Sequence, residues 1–403
     1  MQRRSSAHAI AAVALVASLT VAAAPAAAAK PKPAPVPHPL TDPLSVSGCA
    51  SCRQRTPELA GGSAGDFLAT WSAFGEFRVF RRVFDANGNA DVDHEVIAGT
   101  QISLTGAAGL DDGWAFGYSN PGQVMVERLD GAGAAHAPAV RVNAPEPGDD
   151  DHGAGIAAGP GGVVVTFGRS KPGGQPAQVV AQLLASDLAL AAAPAVLGDA
   201  PPYVKAPVCM LAAGGAAVAW STINDQNAAP DDRRFGAAVR RLGGDGNPAA
   251  PARTLAAATT PGTSTGVAIA CGADGGFAVA WHQASAEGGL DVLWQRFDKK
   301  GKAVGKTVLL SSDKAGDQQE PALLALAGGG YLAAWQSDAD GQSVIVGRRF
   351  AANGKGSGAD FVLHVAADGE TAADPRLASM PGTGRLVLAW NEGGRGWVQI
   401  FGE

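Results

Sequence analysis

The chain has 403 residues and a formal net charge of -6, with 46% hydrophobic, 17% charged and 6% aromatic residues, and 55 Gly and 26 Pro beside only 4 Cys. A mildly acidic balance argues against a free-standing nucleic-acid binder, whose surface would be basic. The apolar content argues against a disordered chain, and so few cysteines argue against a disulfide-framework miniprotein.

The N-terminus carries Arg3 and Arg4, an apolar run from Ala9 to about Ala24, and Ala27-Ala28-Ala29 before Lys30. This order of positive, apolar and small residues reads as a secretory signal peptide over residues 1–29, with an A-x-A-type cleavage site. The expected mature chain is secreted, periplasmic or held at the cell surface. No later stretch is long and apolar enough to span a bilayer. Residues 30–42 are dense in Pro and read as an extended spacer. The body is residues 43–403.

Within the body one phrase recurs about every 50 to 60 residues: a Gly-rich turn, five apolar residues ending in an aromatic, then a polar or small residue. Its aromatic anchors are Trp71, Tyr118, Phe167, Trp220, Trp281, Trp335 and Trp390. A second phrase follows the first six copies, as in Arg78–Gly88 and Asp291–Gly301. There, apolar and long polar residues alternate with the period of a strand, into an Asp/Asn/Gly turn. A shorter β-rich run comes next, and a run often opened by Pro precedes each Gly turn. Each repeat is thus four short antiparallel strands, which we name inner, second, third and outer. Seven such repeats predict a seven-bladed β-propeller. The chain stops at a third strand, Trp397–Glu403, and the body opens at Pro43–Gly48 like an orphan outer strand. The N-terminal strand is expected to complete the last blade and close the ring. The repeats around Tyr118 and Phe167 are the most degenerate, so six regular blades plus an irregular one would give a similar pattern.

The pattern resembles bacterial secreted β-propeller repeats of the G-F-x-V-A-W…R-F-D-x-x-G kind over most of the body, most closely around Trp281, Trp335 and Trp390. The W-D and G-H signatures of WD40 repeats and the S-x-D-x-G-x-T-W box of sialidases are absent. The resemblance implies a fold and an export route. It does not choose an activity, because propellers host many.

Propeller connectivity puts the short Gly-rich turns on one face. The second-to-third and blade-to-blade loops lie on the other, where they are longer, polar and richer in acids than in bases. That variable-loop face is the expected binding surface. Its candidate residues are Asp149, Asp150, Asp151 and His152, together with Glu320 and Asp374, which by register open their own inner strands near the same channel mouth. Carboxylates from several blades facing one axis suit Ca²⁺, which takes six to eight oxygen ligands. The alternative is a solvated acidic rim. The acidic run Asp85–Asp93 resembles a calcium loop, yet Ala90 and Val96 stand where an EF-hand needs Gly and Glu, so it reads as an ordinary turn. Cys49 and Cys52 read as a local disulfide pinning the closing strand. Cys209 and Cys271, one register apart on consecutive inner strands, are either a bridge or two buried thiols. No G-x-S-x-G, H-E-x-x-H or P-loop motif is present. In-register arginines on the third strands (Arg81, Arg82, Arg128, Arg240, Arg241, Arg296, Arg348, Arg349) read as blade-to-blade or surface pairing, with a polyanion-binding stripe as the second reading.

These features point to an exported binding or scaffold protein, expected to be monomeric. Its partner would be a protein or a cell-surface glycan, met on the variable-loop face, with no nucleic acid involved. The alternative is an extracellular carbohydrate-active enzyme, a glycoside hydrolase or lyase, using carboxylates at the channel mouth.

Overall fold

The structure is a computed structural model that describes residues 35–403, apart from 48–52, 74–77, 92, 99–102, 121, 145–147, 174, 226, 262–265, 287 and 313–314. Residues 1–29, read from the sequence as a signal peptide, and Cys49 and Cys52, read as a local disulfide, therefore lie outside the described residues.

Blade 1 shows how the repeat folds. Its strands Glu58–Gly61, Phe67–Ala73, Arg78–Phe84 and His94–Ala98 pair in chain order as one antiparallel sheet. The Asp-x-x-Gly turn after the third strand is closed by its own side chain. Asp85 accepts hydrogen bonds from the backbone N–H groups of Asn87 and Asn89, both at 2.8 Å, while Gly88 takes φ +85°. The same carboxylate-to-backbone turn recurs at Asp130 and Asp298, while the equivalent turns of two other blades open at Ala185 and Gly243 with Asp187 and Asp245 two residues on. The calcium-like spacing at Asp85–Asp93 is thus the regular turn of the repeat.

Six further sheets follow, each of four strands or more, so the ring has seven blades. The degenerate repeats are regular blades: Gly113–Asn120 and Gly162–Ser170 each lie second in a four-stranded sheet. Blade 7 closes as the sequence requires. Leu44–Ser45 pairs antiparallel with Val398 and Trp397 of the last strand, Arg395–Gly402. A second short strand, His38–Pro39, pairs with Gly402 and Phe401. The end of the Pro-rich segment is therefore tied to the blade edge instead of running free.

Strand alternation gives every blade two apolar faces, and each is buried against a neighbour. The core is accordingly seven separate clusters, one per blade interface. Each cluster holds one aromatic anchor: Trp71 against blade 7, Tyr118 against blade 1, Phe167 against blade 2, and so on to Trp390 against blade 6. Several indole N–H groups are satisfied locally, with Trp335 donating to Gln318 at 2.8 Å and Trp390 to Glu392 at 3.0 Å. Small residues fill the space between the aromatics: Ala217, Ala219, Ala278, Ala280, Ala333 and Ala334 are fully buried. This is where the Ala-rich composition is used.

Cys209 and Cys271 form a disulfide with their Cα atoms 5.6 Å apart. The one-residue offset in register is what permits it. Consecutive blades meet through opposite faces of their sheets, so facing side chains must differ in parity. Cys209 points from blade 4 toward blade 5, and Cys271 points back.

Candidate functional site

The inner strands are Glu58–Gly61, Ser103–Leu110, Asp150–Gly159, Val208–Met210, Val267–Cys271, Gln318–Ala325 and Ala373–Met380. They run the same way, so their N-terminal ends all open on the variable-loop face. They surround a central cavity of about 470 Å³.

The repeat register sorts the cavity wall into levels. On each inner strand, one residue stands opposite the position just before the aromatic anchor. These residues are Glu58, Gly106, Gly155, Pro207, Ala268, Ala322 and Arg376. All seven line the cavity. Two residues earlier, nearer the mouth, stand Thr56, Leu104, Gly153, Lys205, Gly266, Glu320 and Asp374. Blades 2, 3 and 5 therefore present small or apolar groups at both levels. Blades 1, 4, 6 and 7 carry every charge: Glu58, Lys205, Glu320, Asp374 and Arg376. Deeper in, Ile156, Val208, Ile269, Leu323 and Leu377 make the wall apolar.

Four of the five charges form a chain of alternating sign. Arg376 Nε is 3.0 Å from Glu58 Oε1, and its Nη1 is 2.6 Å from Asp374 Oδ1. Lys205 Nζ lies 3.3 and 3.4 Å from the two Asp374 oxygens. Burial alone would raise the Asp374 pKa. The positive charges of Arg376 and Lys205 outweigh it and hold the carboxyl well below the usual carboxylate range. Burial likewise disfavours the Arg376 cation, and Asp374 and Glu58 reverse that. The Lys205–Asp374 contact joins blade 4 to blade 7, three blades away and as far apart as a ring of seven allows. It crosses the mouth.

Glu320 is the fifth charge. Among the described residues its carboxylate has no hydrogen-bond or ion-pair partner, while its backbone N–H donates to His282 Nδ1 at 3.2 Å. Gly266 makes room for it, since a Cβ there would stand 2.9 Å from His282 Nδ1 and 3.1 Å from Glu320 Oε2. Four non-glycine residues among those described have left-handed backbone, and three of them are Tyr203 (φ +56°), Glu320 (φ +49°) and Asp374 (φ +55°) at this mouth. Such conformations cost about 1 kcal/mol or more and collect where a site needs a side chain aimed against local preference. Tyr203 is 74% exposed and packs on the His152 ring at 4.9 Å between centroids.

The acidic run is built differently. Asp151 is buried and held bidentate by Arg169, with Nε–Oδ1 and Nη2–Oδ2 both 2.8 Å, and Asn143 donates to it at 2.9 Å. Asp149, its side chain 1% exposed, pairs with Lys171 at 3.0 Å and Arg169 at 3.4 Å. Asp150 is exposed. None of the three lines the cavity. Burial lowers the His152 pKa against the opposing charges of Asp150 and Asp151, so the ring is neutral near pH 7. The structure thus brings Glu320 and Asp374 to one mouth and puts the Asp149–Asp151 run in the wall of blade 3. Its buried carboxylates are engaged by cations, and among the described residues no group of three or more His, Cys, Asp or Glu side chains is gathered to hold a metal ion. These residues do not fit the Ca²⁺ site that their spacing suggested.

Glu58, Lys205, Arg376 and Tyr203 escape a reading based on acid density. The signal was in the register: Glu58 and Arg376 occupy the same repeat position, as do Lys205, Glu320 and Asp374. The third-strand arginines pair at the blade edges, among them Arg128 with Asp112 at 2.7 Å and Arg240 with the Leu197 carbonyl at 2.7 Å.

No protein-family model matches the chain, and no curated protein matches it by sequence. Among solved structures it is similar to a protein of unknown function from Dyadobacter fermentans, at 10% identity and a TM-score of 0.51, over 92% of this chain and 100% of that one. It also aligns with the Penicillium chrysogenum α-L-arabinanase complexed with arabinobiose, at 13% identity and a TM-score of 0.46, over 91% and 98% of the two chains. At 10% identity the likeness to the Dyadobacter protein is one of fold alone.

Proposed function

We propose that the protein is an exported binding module whose partner, a protein or a surface polymer, inserts a small group into the central cavity from the variable-loop face. The observation that carries this reading is the cavity itself: apolar wall residues from six of the seven blades, a volume of about 470 Å³, and a few charged groups from blades 1, 4, 6 and 7 at the mouth. Ligand sites have this character, of about 300–1,000 Å³ with sparse polar anchors. Export accords with the Cys209–Cys271 bridge, since disulfides persist in oxidising compartments.

Binding is favoured over glycoside hydrolysis by the state of the carboxylates. Hydrolysis needs one carboxyl that holds a proton beside one that does not. Asp374 and Glu58 are both engaged by Arg376, and Asp374 by Lys205 as well, so neither is free to attack a sugar or pass a proton without first breaking an ion pair.

The test is binding of the mature chain to immobilised oligosaccharide and peptide panels, repeated with Leu104→Trp. That change fills the mouth from blade 2 and touches none of the ion pairs. Loss of the captured ligand supports a cavity site. Undiminished binding overturns it and moves recognition to the outer loops.

A further inference from the structure

We infer that the group received by the cavity is an organic cation, a positively charged head on an aliphatic stem, with Glu320 as its counter-ion. The inference rests on reading the central cavity as the binding site and adds the chemistry of the ligand.

The charge inventory of the mouth carries it. Glu58, Arg376, Asp374 and Lys205 satisfy one another in sequence. Glu320 remains, lining the cavity, with no partner among the described residues and its backbone in the left-handed region at φ +49°. Of the charged residues that line the cavity or pair with those that do, three are carboxylates and two are cations, and the carboxylate left over is that of Glu320. An anionic ligand would meet Glu320 unshielded and find both cations already paired. A neutral ligand would leave the carboxylate desolvated without compensation, which is costly. A cation supplies what the site lacks.

The remaining walls suit the stem. Ile269 of the neighbouring blade 5 and Leu323 of Glu320's own inner strand are apolar and line the cavity. Tyr203, exposed at the rim, offers a ring face to a passing cation. Lys205 is an internal example of the same chemistry. It is an ammonium on four methylenes, 63% exposed, reaching over the mouth to a carboxylate on the opposite blade. It acts as a bar that an entering ligand must push aside.

Two probes distinguish the sources of such a cation: cadaverine for a free diamine, and an N-acetylated, C-amidated Gly-Lys-Gly peptide for a lysine of a protein partner. Each is titrated calorimetrically into the mature chain at low salt, beside the peptide with norleucine in place of lysine. We expect a lysine-bearing or diamine probe to bind at least about tenfold more tightly than the norleucine peptide. Glu320→Gln should cost at least about tenfold, and Lys205→Ala, which removes the bar, should raise affinity several-fold. Melting curves of both variants verify folding. Binding by the peptide alone assigns the cation to a partner's lysine, and binding by cadaverine as well extends it to free amines. Equal binding of the norleucine peptide, indifference to Glu320→Gln, or no binding to either wild type or Lys205→Ala overturns the inference. If the panel ligand of the previous section still enters the cavity in those cases, only the cationic assignment falls.

Discussion

Around Asp151, two carboxylates meet Arg169 and Lys171 inside the wall of blade 3. Around Asp374, two carboxylates meet Arg376 and Lys205 at the mouth of the cavity. The residue types are the same and the geometry differs. The first cluster joins neighbouring strands, with side chains exposed by no more than 10% on Arg169 and 0% on Asp151. It replaces solvent for charges that have none. The second crosses from blade to blade, with Lys205 63% exposed. A buried pair mainly avoids the penalty of a lone buried charge, whereas an exposed one holds little energy and is free to exchange partners. Local density of acids thus marked the cluster inside the wall, and ring position marked the one at the mouth of the cavity.

Substitutions can break this contrast, beginning with the largest effect. Asp151→Ala should destabilise the protein by about 3–5 kcal/mol, because it removes the bidentate partner of the Arg169 guanidinium in the blade wall and leaves only the longer contact to Asp149. Chemical denaturation reads this, and ligand affinity at the cavity should not change. Reduction of Cys209–Cys271, or its replacement by two alanines, should cost about 2–4 kcal/mol. A melting curve with and without reductant checks it, and an unchanged midpoint would show that the blade 4–5 interface needs no staple.

Asp374→Asn should cost about 1–3 kcal/mol near neutral pH, where it leaves Arg376 with Glu58 alone. The pH dependence has a definite sign. The native Asp374 pKa is depressed below its unfolded value of about 3.9. Its contribution is therefore complete above that value and is lost as pH falls through the native one. The gap between wild type and Asp374→Asn should be constant from pH 7 to 5 and close in stronger acid.

His152 adds a decline of the same sign at higher pH. Its depressed pKa means that protonation favours the unfolded chain, so His152→Gln should flatten a decline in stability that begins below about pH 6.5. The smallest change in stability is expected for Lys205→Ala, about 0–1 kcal/mol, because the pair is largely solvated. Tyr203→Gly sharpens the comparison from another side. It relieves a left-handed backbone and should leave stability equal or slightly higher. If Tyr203 serves the ligand, affinity should fall nonetheless.

Much of the fold was legible. The anchors from Trp71 to Trp390 mark the second strands, and even Tyr118 and Phe167 sit where the repeat requires, because any large apolar ring fills the gap between two blades. Ring closure was legible from an incomplete last repeat and an unpaired N-terminal strand. The end of the Pro-rich segment was not: His38–Pro39 pairs with the last strand, and two residues carry too little pattern to announce a strand. The site was half legible. Glu320 and Asp374 were singled out by their place at the start of inner strands. Glu58, Lys205 and Arg376 were hidden because each is ordinary beside its sequence neighbours and exceptional only beside its repeat equivalents.

The sequence by itself determined the blade number, the order of strands and the face on which the variable loops gather, since period-two alternation and Gly or Asp turns act over a few residues at a time. Tertiary structure alone decided which charges meet. Lys205 and Asp374 are 169 positions apart and become partners only because seven blades close a ring. Cys209 and Cys271 bridge only because neighbouring sheets meet through opposite faces. Coulomb attraction and covalent bonding act over a few ångströms, and separation along the chain does not set that distance.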